Sequence, residues 1–239
     1  MSINATPRQP SGCSLPAVLL VHGFGSSFDN DWRRNGWVDV LSDLGRRVVG
    51  HDLLGHAEGN GDADPASYAG LEEHAFAPAA ALAPVDAVGF SLGGLILLRL
   101  AADDPSRFRR IAVLGVVGLG RPHADRPLPD VMGALDGTTT ALDPASGVFR
   151  RLVASHHADA RALTAVIRRP QRPLTTGDLH RVAVPTLLAI GDDDFAGPAT
   201  RLAAELPRAS LVELPRTDHF ATPSSLKAMD AVLRFLASD

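Results

Sequence analysis

Six short stretches of the chain are apolar at almost every position rather than at every second one. They are residues 16–23 (PAVLLVHG), 46–53 (RRVVGHDL), 85–91 (VDAVGFS), 110–119 (RIAVLGVVGL), 184–191 (VPTLLAIG) and 209–215 (ASLVELP). A strand covered on both faces shows this continuous pattern, whereas a strand with one wet face alternates, so six buried parallel strands are expected. Between most of them the apolar spacing becomes helical. Residues 92–102 are apolar almost all round, as suits a helix packed centrally on a sheet. A last helix is expected over about residues 223–237, with Thr222 as N-cap and Pro223 in the first turn. Its Leu226, Met229, Leu233 and Leu236 would form the buried stripe. Strand alternating with helix predicts an α/β chain with a doubly wound sheet.

The rhythm fails between residues 120 and 183. No strand pattern occurs there, and the interval is too long for a simple crossover. Segments such as SGVFRRLVASHH and DARALTAVIRR have helical spacing, with proline-rich joints around residues 121–129 and 170–173. This reads as a small helical lid over the strand ends, inserted into a core formed by residues 1–119 and 184–239.

Composition narrows the classes of partner. The chain has 239 residues, 45% of them hydrophobic, with a net charge of −4. That suits one large domain and gives no general attraction to nucleic acid or an anionic membrane. Cys13 is the only cysteine, so neither an intramolecular disulfide nor a thiolate metal site is expected. The first fifteen residues lack the basic start and apolar run of a secretory signal, and a cytoplasmic location is expected.

The stretch VDAVGFSLGGL sets a hydroxyl, Ser91, between Gly89 and Gly93 where an apolar strand gives way to an apolar helix. In G-x-S-x-G the glycines remove side chains that would collide in a sharp strand-to-helix turn, leaving the serine projecting above the sheet. The helix behind it aims its N-terminus, and the amide of Leu92, at the same point. A serine hydroxyl needs a base that is itself oriented by a third group, and after this turn the chain order is serine, acid, histidine. Among nine histidines, His219 in PRTDHFATP follows the last strand, at the end of the sheet where open α/β folds place their sites. The acid should follow the strand 184–191, where GDDDFAGP offers Asp192, Asp193 and Asp194. Any of the three satisfies chain order.

Together VHGFGSS, GHDLLGHAEG, VGFSLGG, GDDDFAGP and TDHF resemble the α/β-hydrolase superfamily in its bacterial esterase-like branch, over essentially residues 16–239. The resemblance implies a mostly parallel sheet of six to eight strands flanked by helices, with a small helical lid. It selects Asp194 as the acid, three residues after Gly191 and four before Pro198, and so a triad of Ser91, Asp194 and His219. Asp192 and Asp193 then read as solvated loop carboxylates. The backbone amides of Phe24 and Leu92 are implied as the oxyanion hole, and the side chains of Phe24, Leu92, Phe149 and Phe220 as the substrate pocket. Two departures stand out: only irregular residues precede Leu15 where the family has a hairpin, and the usual Gly-x-Gly-x-Ser reads GHAEG.

The function implied is hydrolysis of a carboxylic ester through an acyl-enzyme, without metal or organic cofactor. Lactonase, thioesterase, carbon–carbon bond hydrolase and slow-turnover receptor readings share the same residues. Residues 120–183 carry nine arginines against six aspartates and no lysine or glutamate, a local charge of +3. A basic lid suits an acidic substrate or an acidic carrier protein. Size and motifs are also similar to those of pimeloyl-carrier-protein methyl ester esterases. Phe149, Leu152, Val153 and Leu163 would select the acyl chain while the lid arginines face outward.

Overall fold

Each strand sends alternate residues to opposite sides, and the two sets fill two cores. In the computed structural model, which describes residues 15–56, 61–116, 133, 135, 147 and 159–238, the strands are β1 (Val18–Val21), β2 (Val48–Val49), β3 (Val85–Phe90), β4 (Phe108–Leu114), β5 (Thr186–Gly191) and β6 (Ala209–Leu214). Leu19, Val21, Ala87, Ile111, Val113, Leu188 and Ile190 face one core. Val18, Leu20, Val88, Phe90, Ala112, Leu114 and Leu187 face the other. Burial on both sides is why the strands read as unbroken apolar runs.

Helices close both faces. The first core is covered by α2 (Leu71–Phe76), α3 (Leu92–Asp103), α4 (Ala160–Arg168), α5 (Thr176–His180) and α6 (Thr200–Glu205). The second is covered by α1 (Trp37–Asp43) and α7 (Leu226–Ala237), through Trp37, Leu41, Met229 and Val232. The result is a helix, parallel sheet and helix layering, as the resemblance implies. The described sheet has the order β2-β1-β3-β4-β5-β6, with every pair parallel. The chain leaves β1 for β2 on one side and returns to β3 on the other, which opens a crevice above the carboxyl ends of β1 and β3.

At the opposite end of the sheet, Asp86 of β3 is fully buried and accepts from Arg46 Nη1 at 2.6 Å. Arg46 Nη2 and Arg110 Nη1 donate to Leu236 O and Phe235 O, both at 2.6 Å. Guanidinium groups thereby satisfy the last carbonyls of α7, where the helix dipole is negative.

Several expectations shift. Thr222 does not cap the last helix: Thr222–Ser224 form a 3₁₀ turn, and Ser225 caps α7 by accepting from Ala228 N at 3.3 Å. The Thr222 hydroxyl instead donates to Asp218 O at 3.1 Å. The buried stripe of α7 is Ala228, Met229, Val232 and Leu236, while Leu226 projects into solvent at the helix start, 79% exposed. The run 46–53 supplies only a two-residue strand. Of the expected lid, most of residues 120–158 lies outside the described residues, as do Phe149, Leu152, Val153, Arg150 and Arg151; α4 and α5 are its described part. Leu163 is fully buried. Its arginines do not all face outward: Arg168 is exposed, but Arg169 is buried and paired with Glu72 at 3.1 Å.

Candidate active site

The turn after β3 is held in a conformation that its sequence makes possible. Ser91 has φ 51° and ψ −111°, a sparsely populated region that typically costs about 1–3 kcal/mol unless its surroundings enforce it. They do: a Cβ on Gly89 would stand 2.6 Å from the Gly93 carbonyl carbon, and one on Gly93 would collide with Val21 O at the end of β1. The helix start can be drawn this close to the strand ends only because both positions are glycine. Ser91 N donates to Leu114 O at 2.8 Å, fixing the turn against β4. Leu92 is the first residue of α3, where the helix itself offers the amide no acceptor.

His219 and Asp194 reach this hydroxyl from two later loops. His219 Nε2 lies 3.1 Å from Ser91 Oγ, and His219 Nδ1 lies 2.9 Å from Asp194 Oδ2 and 3.1 Å from Oδ1. Asp194 is completely buried and also accepts from Ala196 N at 2.8 Å. The geometry separates the three aspartates that residue pattern alone left equal. Asp194 N donates to Gly191 O, closing a four-residue turn whose last residue is buried, while Asp192 and Asp193 are exposed. Asp192 is nevertheless more than a solvated carboxylate, because its Oδ1 accepts from Thr217 N at 3.3 Å. Asp193 N donates to Thr217 O at 3.2 Å, and a Cβ at Gly191 would overlap that carbonyl. These contacts hold the acid loop against the base loop.

The imidazole of His219 is also set by rings. Phe195, Phe90 and Phe220 lie with centroids 4.4, 5.0 and 5.5 Å from it. Phe220 was expected at the site; Phe90 and Phe195 were not, although both lie inside its sequence motifs. Asp218, beside the base, is exposed and accepts from Ala221 N at 2.8 Å.

The loop after β1 carries half-buried Phe24. Its shape depends on residues the sequence did not single out. Asp31, 4% exposed, accepts from Gly23 N at 2.8 Å and from Ser26 Oγ at 2.5 Å. His22, which precedes Ser91 in the chain and so does not fit the serine, acid, histidine order, is fully buried and bridges two loops. Its Nε2 accepts from Leu53 N at 2.9 Å and its Nδ1 lies 2.8 Å from Gly23 O, so the ring is neutral with the proton on Nδ1. Burial accordingly lowers its pKa below the ordinary histidine value, against the opposing pull of Asp31. His56 stands edge-on to both His22 and Phe24, at 5.2 and 5.5 Å, and burial lowers its pKa to about 3. In the sequence, the acidic stretch FDNDW and a histidine at the end of an apolar run are the only signals of this support. Among the described residues, no cluster of three or more His, Cys, Asp or Glu is placed to hold a metal ion.

Known proteins share this framework. A model of the alpha/beta hydrolase family matches residues 18–234. A pimeloyl-[acyl-carrier protein] methyl ester esterase of Neisseria meningitidis is 33% identical over 156 residues, covering 62% of this chain and 45% of the relative. A 2-hydroxymuconate semialdehyde hydrolase of Pseudomonas putida is 37% identical over 120 residues, covering 49% and 42%. The matches thus span less than half the length of these curated relatives. The solved enol-lactonase of Burkholderia xenovorans LB400 superposes with a TM-score of 0.70 at 22% identity, over 96% of this chain and 94% of that one, which shows a common fold. With the matched model running from β1 into α7, the chain belongs to the alpha/beta hydrolase family.

Proposed function

We propose that the protein hydrolyses a carboxylic ester of a small molecule through an acyl-enzyme, with Ser91, His219 and Asp194 as its catalytic triad. The observation that carries this reading is the continuous relay from Asp194 through His219 to Ser91, with links of 2.9 and 3.1 Å. Ser91 Oγ attacks the ester carbonyl as His219 Nε2 takes its proton. Asp194 holds the Nδ1 proton and stabilises the charge that develops on the ring. The tetrahedral oxyanion is received by the amides of Phe24 and Leu92, two preorganised donors. Collapse expels the alcohol, which takes the proton from His219. Water, deprotonated by His219, then attacks the acyl-serine and releases the acid. Phe24, Leu92 and Phe220 line the substrate's approach in this scheme; Phe149, expected with them, lies outside the described residues.

A fluorophosphonate probe tests the assignment. It should label Ser91 alone and abolish turnover of p-nitrophenyl butyrate in the same proportion; labelling at another residue, or activity surviving full labelling, would move the site. An intact protein that binds ligand without appreciable hydrolysis would favour the receptor reading.

A second substrate class is favoured by one specific observation. Residues 120–183 are basic within an acidic chain, and one relative is named for an ester carried on acyl-carrier protein. An acidic carrier would be drawn to such a segment, with a rate that falls as salt rises. Among the described residues no helix is long and apolar enough to cross a membrane, and a cytoplasmic setting would suit such a partner.

A further inference from the structure

The proton that His219 takes from Ser91 has a second destination, and its path fixes one side of the site. In the function proposed above, His219 Nε2 passes it to the leaving alcohol, so that oxygen must come within about 3 Å of Nε2. The first carbons of the alcohol therefore lie among the residues packed around the imidazole. The acyl chain leaves the same carbonyl carbon in another direction. What surrounds His219 thus selects the alcohol rather than the acid.

Part of that surrounding is closed. Phe90 is buried at the end of β3, and a Cβ on Gly115, just after β4, would stand 2.9 Å from Phe90 and 3.3 Å from His219 Cε1. That side has no room for a substrate atom. Phe195 and Phe220 differ, because each is only half-buried and keeps accessible surface. They follow Asp194 and His219 directly in the chain, and their centroids lie 4.4 and 5.5 Å from the imidazole and 6.0 Å from each other. Aromatic residues make up only 5% of the chain and both cores are mainly aliphatic, so two adjoining rings at the base depart from how the rest of the interior is filled. Rings that meet offset or edge-on, with centroids about 4.5–7 Å apart, attract one another beyond the area they bury. A ring on the alcohol gains this attraction, and an alkyl group of the same size does not.

We infer that the substrates are esters of aromatic alcohols, whose ring packs against Phe195 and Phe220 while the alcohol departs. The inference rests on the reading of Ser91 as nucleophile and His219 as general acid. Acylation forms the bond from Ser91 Oγ to the carbonyl carbon and breaks the bond from that carbon to the alcohol oxygen. The oxygen takes its proton from His219 Nε2, and the two phenylalanines hold the group attached to it.

The experiment measures kcat/KM of the full chain for methyl, cyclohexylmethyl and benzyl butyrate, which share one acyl-enzyme and have alcohols of similar leaving ability. The benzyl ester should exceed the methyl ester by about tenfold or more, and the cyclohexylmethyl ester by about threefold or more. Phe195→Leu and Phe220→Leu keep the positions apolar, and each should cut the benzyl-to-methyl ratio by about threefold or more. Methyl phenylacetate carries its ring on the acid, so its ratio to methyl butyrate should hold in both variants. A purely structural role for the two rings would slow every ester alike and leave the ratios in place, which would overturn the proposal. Equal rates for the cyclohexylmethyl and benzyl esters would overturn the aromatic preference, and a fall in the phenylacetate ratio would move the rings to the acyl side. A methyl ester turned over fastest would also overturn it, leaving Ser91 as nucleophile and favouring a methyl ester substrate. Failure of the esterase reading itself looks different: no ester is turned over, and a fluorophosphonate leaves Ser91 unlabelled.

Discussion

Asp194 and Asp86 are both fully buried, one just beyond the carboxyl end of β5 and the other inside β3 near its amino end. Asp194 faces an imidazole that in turn faces a hydroxyl. Asp86 faces Arg46, with Arg109 and Arg110 at 3.8 Å, and Arg46 and Arg110 face the last carbonyls of a helix. The first chain ends on the Ser91 hydroxyl, the nucleophile in the function proposed above. The second ends on backbone. Burial of a carboxylate is expensive in both places, so burial does not separate a reactive site from a structural clamp; what the partner is able to do next separates them. The ends of the sheet differ for a reason of topology, since the crevice between β1 and β3 opens only at the carboxyl end.

The comparison breaks most sharply at the end of the first relay. Ser91→Ala or His219→Ala should reduce kcat for p-nitrophenyl butyrate by about 10⁶, the order found when such a member is removed from a serine hydrolase. The unfolding midpoint should stay near that of the wild type. Retention of more than about a thousandth of the activity would exclude the assigned role. Asp194→Asn comes next, with a loss of about 10⁴ in kcat, because the amide favours the wrong tautomer of His219. Asp193→Asn should be nearly silent, and Asp192→Asn should cost a small factor through its bond to Thr217. Equal losses at all three positions would refute the inward turn of Asp194.

The legibility of the site follows from how local each constraint is. Ser91 can be read from five residues, because the strand, the sharp turn and the helix are consecutive. His219 can be read from topology, because the carboxyl end of the last strand is where the crevice lies. Asp194 cannot be chosen from DDD by chemistry alone; which carboxylate turns inward depends on the hydrogen bond from Asp194 N to Gly191 O, and family resemblance supplied the choice. Asp31 and His22 escaped because their partners are fixed only by folding: Leu53 is 31 residues from His22 in sequence. The cap of α7 was misplaced for a similar reason. Trp37 Nε1 donates to Pro223 O at 2.7 Å across the fold, holding residues 222–224 in their own turn and leaving the cap to Ser225. Strand positions were legible because burial on two faces leaves an unbroken apolar run, but β2 was overestimated since pairing, not hydrophobicity, limits its length.

At the structural end, Arg46→Ala should leave kcat within about twofold while lowering unfolding stability by about 3–5 kcal/mol, the usual cost of stranding one member of a buried pair. The loss should depend on pH. Burial raises the pKa of Asp86 above its ordinary value even with the arginines opposing, and removing Arg46 raises it further. A carboxyl with a raised folded pKa contributes its stability below the unfolded value of about 3.9 and loses it as pH rises through the folded value. The variant should therefore lie closest to the wild type near pH 4 and fall furthest behind at about pH 7 to 8. Denaturant unfolding at the two ends of that range reads the difference, and a deficit that is constant with pH would show that Arg46 acts through the carbonyls of Pro16 and Leu236 rather than through Asp86.

The smallest effect sharpens the comparison with a third aspartate of opposite sign. Asp178 is buried at the start of α5, where a hydrogen bond from Arg99, followed by those from Thr175 N and Oγ1, holds its pKa well below the ordinary carboxylate range. A depressed folded pKa contributes stability above the unfolded value of about 3.9 and loses it as pH falls toward the folded value. Asp178→Asn should thus be less stable than the wild type at about pH 6, and the gap should narrow steadily below about pH 4, the reverse of the trend for Arg46→Ala. Activity should be unaffected, since Asp178 braces α5 and Arg99 rather than the loops of the triad. The check is thermal unfolding of variant and wild type at about pH 6 and about pH 3.5. A gap that widens on acidification would mean that desolvation, as at Asp86, outweighs the donors around this carboxylate, and that α5 is held by its apolar contacts through Leu179 instead.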